Sequence, residues 1–349
     1  MLRINSGNRY LPRFKRTLQW RALVLGFLTF AQANALSQQG INNDLELGIQ
    51  LYNQNSFAKA VESLRKAVKV NKQDYDAWYY LGMAQFQTRD LKNATKSFET
   101  ALKLRPDSAA GHASLAYTFL MRNKPSDASR EAHESIALNA RMPDGHYITG
   151  AIRLRADQPT EALAEAETAL KLDSQFAPAY LLKSQAIVKS VAGAILDNSD
   201  ESPEERKQRY RDAATALEAY LRLSLSAPFK ETWAEQLETL RLLAADRLEN
   251  ERRGIFSAKE VTTRVRVLAK PEPTYTEQAR QNGTQGTVTL RCVFMADGTV
   301  QHFFVVSGLP DGLTEQAINS GRQIKFIPAT KDGKPVSMWM ELQYNFSLY

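Results

Sequence analysis

Residues 75–108 read YDAWYYLGMAQFQTRDLKNATKSFETALKLRPDS, and this stretch decides the architecture of half the chain. Trp78, Leu81 and Gly82 stand at its positions 4, 7 and 8, and Ala94, Phe98, Ala101 and Pro106 at positions 20, 24, 27 and 32. Working outward, the preceding block puts Leu47, Gly48, Ala60, Leu64 and Ala67 in the matching places. The two blocks that follow supply Leu115, Ala116, Ala128 and Ala132, then Gly150, Ala162, Ala166 and Ala169. Four 34-residue blocks therefore run without a gap over residues 41–176. The pattern predicts an antiparallel helix pair in each block. Gly48, Gly82, Ala116 and Gly150 lie on the first helix, where a larger side chain would hold the second helix away. Ala60, Ala94, Ala128 and Ala162 are the small partners on the second helix. One pair cannot bury its own apolar face, so pairs must stack on their neighbours. Pro106 ends one helix shortly before the next begins. An ordinary bundle does not keep a fixed register four times over.

Period and residue types together resemble the tetratricopeptide (TPR) repeat, which implies an all-α superhelical solenoid. A fifth, imperfect repeat begins near Ala177, with Tyr180 in the position-4 slot. Ala216, Tyr220, Leu223 and Pro228 match the second helix only after an insertion of 20 residues. That insertion holds the polar run 197–201 and reads mainly as a solvated loop, with a partner contact as the alternative. Ser202-Pro203-Glu204-Glu205 reads as a helix start, with Ser as the N-cap and Glu three residues on. Glu231 to Arg253 reads as one amphipathic helix, apolar at Trp233, Leu237, Leu240 and Leu243, suited to capping the last repeat.

Beyond Arg252-Arg253-Gly254 the period changes from helical to alternating. Gly286 to Phe294 is a strand, and Asp297-Gly298 turns it into a second strand, Val300 to Val306. Leu313 to Arg322 is helix-like. Val336 to Phe346 alternates, with Met338, Met340, Leu342, Tyr344 and Phe346 on one side and Ser337, Trp339, Glu341, Gln343 and Asn345 on the other. One buried face and one wet face fit a small α+β domain with an antiparallel sheet. Pro271-Glu272-Pro273-Thr274-Tyr275, Ala279, Gly283 and Gly286 come first in order. Asp297-Gly298-Thr299-Val300, Phe326-Ile327-Pro328-Ala329 and Gly333-Lys334-Pro335-Val336 follow. In order and spacing these resemble the TonB C-terminal domain over residues 269–349. The family usually has Tyr-Pro in the first segment, where this chain has Tyr275-Thr276. The expected organisation is thus a signal peptide (1–35), four TPR repeats (41–176), an imperfect fifth with a capping helix (177–253), a linker (254–268) and a TonB-like domain (269–349).

The formal charge of +7 suggests nucleic acid, but its location argues against that reading. Arg3, Arg9, Arg13, Lys15, Arg16 and Arg21 precede any acid and account for all but one of the excess charges. The body is near neutral and carries no general phosphate-binding field. The basic start leads into an apolar run, Ala22 to Ala31, and then Ala33-Asn34-Ala35, the grammar of a secretory signal peptide. Cleavage after Ala35 places the protein in the periplasm or cell envelope. The alternative is an uncleaved inner-membrane anchor. Cys292 is the only cysteine, so no internal disulfide exists. It shares a strand face with Val288, Leu290 and Phe294, which reads as a buried apolar thiol.

No catalytic, cofactor or metal-binding constellation stands out. His112 and His146 occupy position 4 of adjacent repeats, where Trp78 and Tyr180 stand in others, and read as packing groups. No Walker-type loop, GxGxxG or GxSxG is present. The TPR resemblance implies a groove lined from the first helices, and its positions carry over to Tyr52, Tyr79, Met83, Phe86, Tyr117, Met121, Tyr147 and Arg155. These suit an extended peptide or a helix. The alternative is that they pack against the next repeat. Position 9 holds Ile49, Met83, Tyr117 and Ala151 rather than the Lys and Asn of a carboxylate clamp. The TonB resemblance implies strand addition of a receptor segment. Val336, Ser337, Trp339, Glu341, Gln343 and Asn345 form the candidate edge, with Trp339 on its open face.

Together these readings predict a non-enzymatic envelope interaction protein. The solenoid would hold a protein or peptide, and the sheet domain would contact another, such as a TonB-dependent outer-membrane receptor. The alternative is a periplasmic assembly scaffold with neither receptor binding nor energy coupling. Nucleic acid is not an expected partner. Membrane contact is indirect or through an uncleaved N-terminus, and pairing of two copies stays open.

Overall fold

The helix pairs that the 34-residue period demands are present in the computed structural model, which describes residues 43–197, 199–224 and 230–348. The expected signal peptide lies outside the described residues. The molecule divides into two compact units, up to Leu138 and from Asn139 onward.

The first unit is all helix. Its elements are α1 (43–53), α2 (Phe57–Val70), α3 (Tyr75–Gln87), α4 (Leu91–Leu104), α5 (Ala109–Met121) and α6 (Pro125–Leu138). Short polar side chains start several of them. Asp74 accepts from the Ala77 N–H at 3.1 Å and Ser108 from the Gly111 N–H at 3.0 Å, each satisfying a helix-end donor. The small residues on the first helices do what the sequence requires of them. A Cβ on Gly82 would meet the Phe98 ring at 2.7 Å, and one on Gly48 would meet Leu64 Cγ at 2.5 Å. Within each pair the chain reverses through a left-handed residue, Asn55 (φ 58°), Arg89 (φ 64°) and Asn123 (φ 57°), one per repeat. Asn accepts this conformation readily; Arg89 holds it only because the packed helices on either side impose the turn.

The second unit begins with α7 (Pro143–Arg155), α8 (Pro159–Leu172), α9 (Ala177–Leu196), α10 (Pro203–Leu223), α11 (Lys230–Ala244) and α12 (Arg247–Arg252). Strands β1 (Ile255–Phe256), β2 (Arg266–Ala269), β3 (Gly286–Phe294), β4 (Val300–Ser307), β5 (Lys325–Ile327), β6 (Ala329–Lys331) and β7 (Lys334–Phe346) follow, with α13 (Glu277–Asn282) and α14 (Leu313–Arg322) between them. The main sheet runs β1-β7-β3-β4, with β6 paired to the start of β7, and β2 with β5 forms a separate ribbon. β1 is parallel to β7; β3 is antiparallel to both of its neighbours. The fold is thus tetratricopeptide-like helical repeats followed by a small α+β sheet domain.

Two expectations for the junction need correction. The 20-residue insertion keeps a short non-helical connection that includes 199–202, where the polar run was read as a loop. Most of it lengthens the helices: α9 has 20 residues where α7 has 13, and α10 has 21 where α8 has 14. The Ser202 capping box does start α10, with the Ser202 side chain accepting from the Glu205 N–H and the Glu205 carboxylate from the Ser202 N–H. The extra turns are apolar on one side at Val191, Ala192 and Tyr210, and they bury that side against the sheet. Likewise the helix expected over 231–253 is broken at Asp246, which caps α12. Its apolar stripe does not face outward as a cap. Leu237, Leu240 and Leu243 of α11 join Ile187, Tyr210 and Leu217 below them and Phe304 and Val306 of β4 above.

The sheet therefore has two covered faces. One carries Val288, Leu290, Cys292, Phe294, Leu342, Tyr344 and Phe346 against Leu313 and Ala317 of α14. The other, expected to be wet, is buried at Phe304 and Val306 and partly at Trp339 by α9–α11, and stays exposed at Glu341, Gln343 and Asn345. Residue 254 onward, read as linker, supplies β1 at the sheet margin.

At the β3–β4 pairing the register shifts between Arg291 and Val293, opposite His302, which adopts φ 57°. Its Nδ1 is buried without a partner. Burial holds the imidazole below its ordinary value of 6.5, opposed by Glu235 and Glu238 of α11 and assisted by Arg253. A base with a lowered folded-state value resists protonation in the native state. Its stabilising effect is complete above pH 6.5 and is lost as the pH falls below that value toward the folded one. Asn tolerates the same backbone conformation. His302→Asn is expected to flatten the fall in urea-unfolding free energy between about pH 7 and about pH 5. An unchanged slope assigns the loss to other groups.

Candidate functional site

The first unit gathers an aromatic surface from its first helices. Tyr79, Met83 and Phe86 repeat at helical spacing on α3, and Tyr117 and Met121 do so on α5; all are half-buried. The Phe86 and Tyr117 rings lie 5.2 Å apart. The Tyr79 hydroxyl is 3.3 Å from Ser114 Oγ, which in turn donates to Met83 Sδ at 3.6 Å. Tyr79 also stacks on Tyr75, ring centroids 5.7 Å apart. Tyr79 and Met83 thus meet through Ser114, and Phe86 meets Tyr117, on the same pair of first helices. Tyr52 instead packs on Phe57 and Tyr80, with centroids at 5.4 and 6.0 Å, as the packing alternative requires. In the second unit Tyr147 meets Phe176 edge-on at 5.8 Å, and Arg155 is exposed.

The position-4 rings serve a structural purpose that the sequence did not reveal. Trp78 Nε1 donates to Lys72 O at 3.0 Å and the Tyr180 hydroxyl to Ser174 O at 3.2 Å. His112 Nε2 lies 2.9 Å from Pro106 O, an atom that only accepts. Each bond spans six residues, so the ring ties down the turn leading into its own helix. His112 and His146 also meet Glu131 and Glu165 through Nδ1, at 2.7 and 2.8 Å. Among the described residues no three His, Cys, Asp or Glu side chains converge as a metal site.

In the second unit the site of interest is the margin of β7. One margin is paired with β3 along the whole stretch from Met338 to Phe346. On the other, β1 takes Ser337 and Met338, and the start of β7, Lys334 to Val336, is paired with β6. No strand follows on that side among the described residues. The Ser337 N–H points there, donating to Gly254 O at 2.9 Å. Backbone groups alternate along a strand, so Trp339, Glu341, Gln343 and Asn345 present their N–H and C=O groups to the same open margin. Lys270 Nζ reaches Gln343 O there at 2.6 Å, and lies 4.3 Å above the Tyr344 ring.

Three of the six expected edge residues are corrected by this geometry. Val336 is paired with Ala329, and Ser337 is buried, its Oγ accepting from the Ala296 N–H at 3.0 Å. The Trp339 side chain does not stand on an open face. It packs into the core shared with α9–α11, with the Arg291 guanidinium 5.0 Å from its ring centroid. Glu341, Gln343 and Asn345 do carry exposed side chains. Cys292, at 0% exposure, is buried as expected, and burial pushes its thiol up to about 12, so no thiolate forms near neutrality.

Two segments of the chain match known families. Residues 45–109 match the sequence profile of the tetratricopeptide repeat, and residues 271–348 match that described as Gram-negative bacterial TonB protein C-terminal. No curated protein matches the chain. Among solved structures, PilW, a type IV pilus biogenesis factor, is similar at 17% identity and a TM-score of 0.46, covering 61% of this chain and 91% of its own. A thermophilic TPR protein of Thermus thermophilus is similar at 17% identity and 0.45, over 58% of this chain and 99% of its own. MamA from Desulfovibrio magneticus is similar at 15% identity and 0.41, over 54% and 98%. The chain thus carries a tetratricopeptide segment and a TonB C-terminal segment, both from families of non-catalytic interaction domains.

Proposed function

We propose that this protein is an adaptor of the Gram-negative cell envelope that holds two polypeptides at once. The aromatic patch of the first unit binds one partner, an extended peptide or a helix. The open margin of β7 takes an extended segment of another, a TonB-dependent outer-membrane receptor, as an added strand. The observation that carries this reading is the β7 margin from Trp339 to Asn345, where outward N–H and C=O groups lack a strand partner. A segment laid there completes the ladder, and backbone bonds supply affinity. No described helix is long and apolar enough to cross a membrane.

The test uses the full chain and fluorescent peptides copied from the periplasm-facing N-terminal segments of outer-membrane receptors of the same genome. Fluorescence anisotropy is expected to show saturable binding of at least one segment, and isotope-edited infrared spectra to show added strand. Failure of every segment to bind overturns the receptor reading.

A further inference from the structure

A second site lies between the helices and the sheet of the second unit. A cavity of about 300 Å³ is lined by Lys207 of α10, Arg247 of α12 and Arg291 of β3, with apolar walls that include Leu242, Ile255 and Trp339. Two of its three cations are answered. Arg247 Nε pairs with Glu251 at 2.9 Å and with Glu260 at 2.6 Å, and Lys207 Nζ lies 3.5 Å from Glu204. Arg291 has no hydrogen bond and no ion pair among the described residues, only the Trp339 ring beneath it. The Tyr210 hydroxyl and, more weakly, Glu341 favour its charge from beyond hydrogen-bond and ion-pair distance, and Arg206 opposes it. Burial penalises its charge, yet a guanidinium does not shed its proton in proteins. A desolvated cation of this kind calls for an anion.

Asn250 also lines the cavity, its Nδ2 donating to Leu242 O at 3.3 Å, but its Oδ1 is closed off and cannot meet a ligand. Two features define the ligand chemistry. A carboxylate meets the Arg291 fork, and an apolar side chain rests against Leu242, Ile255 and Trp339. The volume lies at the bottom of the range for ligand pockets, which limits the occupant to about one residue. From this geometry we infer that the cavity binds a small carboxylate with an apolar side chain, the chemistry of a peptide C-terminus. This site adjoins the start of the β7 margin at Trp339 but does not depend on the proposed adaptor function. In the larger cavity over α8, α9 and α10, Arg209 and Lys183 are paired with Glu201 and Glu167, and Arg222 is exposed to solvent rather than desolvated.

The experiment is calorimetry on the full chain with N-acetyl-leucine, its amide, inorganic phosphate, and a pentapeptide ending in leucine with a free or amidated terminus. The free acids are expected to bind about 10- to 100-fold more tightly than the amides, the scale of a charge-assisted hydrogen bond. A pentapeptide tenfold tighter than N-acetyl-leucine would identify a polypeptide terminus as the source, and equal affinity a free small acid. Arg291→Met is expected to abolish the preference for the acids while leaving the melting temperature unchanged or raised, because an apolar isostere relieves an unpaired buried charge. Equal binding of acid and amide, absence of binding by either acid, or phosphate binding as tightly as N-acetyl-leucine each overturns the assignment.

Discussion

Phe304→Ala is expected to loosen helices and sheet together. Phe304 is 1% exposed and meets the Tyr210 ring edge-on at 5.5 Å, a contact between β4 and the inserted turns of α10. Truncating a buried Phe removes its transfer free energy and leaves a cavity, a loss of about 3–5 kcal/mol. Which amides respond is the informative part. If the shared core makes α9–α11 and the sheet one cooperative body, hydrogen exchange in α10 and β3 accelerates by a common factor of about 150 to 4,000. If the sheet stands alone, acceleration stays in β3, β4 and β7, and α10 keeps its wild-type protection. Leu290→Ala offers the contrast. It lies on the opposite face of β3, in the core with α14. An isolated fragment 254–349 would expose Phe304, Val306 and Trp339 to water and is expected to aggregate.

The repeats were legible because their constraint is local and periodic. Gly48 and Gly82 are small for the reason that the pattern implied, close approach to Leu64 and Phe98. The strand alternation of β7 was equally legible, since residues 338–346 follow the period of two to the end of the strand. What escaped notice was long-range. Phe303, Phe304, Val305 and Val306 form a continuous apolar run, the signature of a strand buried on both faces, yet nothing local says what covers the second face. The cover comes from extra turns of α9 and α10, which in sequence look like a polar insertion. Arg291 was hidden for the same reason. It occupies a position that alternation assigns to water, and only the helices across from it turn that position into a cavity wall.

That hidden core also changes how strand addition is to be tested. Trp339→Arg would place a charge inside the shared core, so loss of capture would report unfolding rather than recognition. Gln343→Pro is the cleaner change. The Gln343 N–H belongs to the outward set and takes no part in the ladder with β3, so a proline ring there removes a docking donor and blocks approach. Peptide capture is expected to weaken by about 10- to 100-fold, as for loss of a backbone bond with its partner left unpaired. Protection in β3 is expected to stay at wild-type values. Leu342→Pro, one residue away, removes an inward donor and is expected to unfold the sheet. Gln343→Ala is expected to keep full capture, because only the side chain changes. Lys270→Ala moves the other way. Its ammonium occupies Gln343 O at 2.6 Å, so an incoming strand must displace it, and removing it is expected to strengthen capture. Equal capture by wild type, Gln343→Pro and Lys270→Ala would place the bound segment elsewhere on the protein. Opposite shifts in the two variants, with the sheet intact in both, are the outcome that backbone pairing along β7 requires.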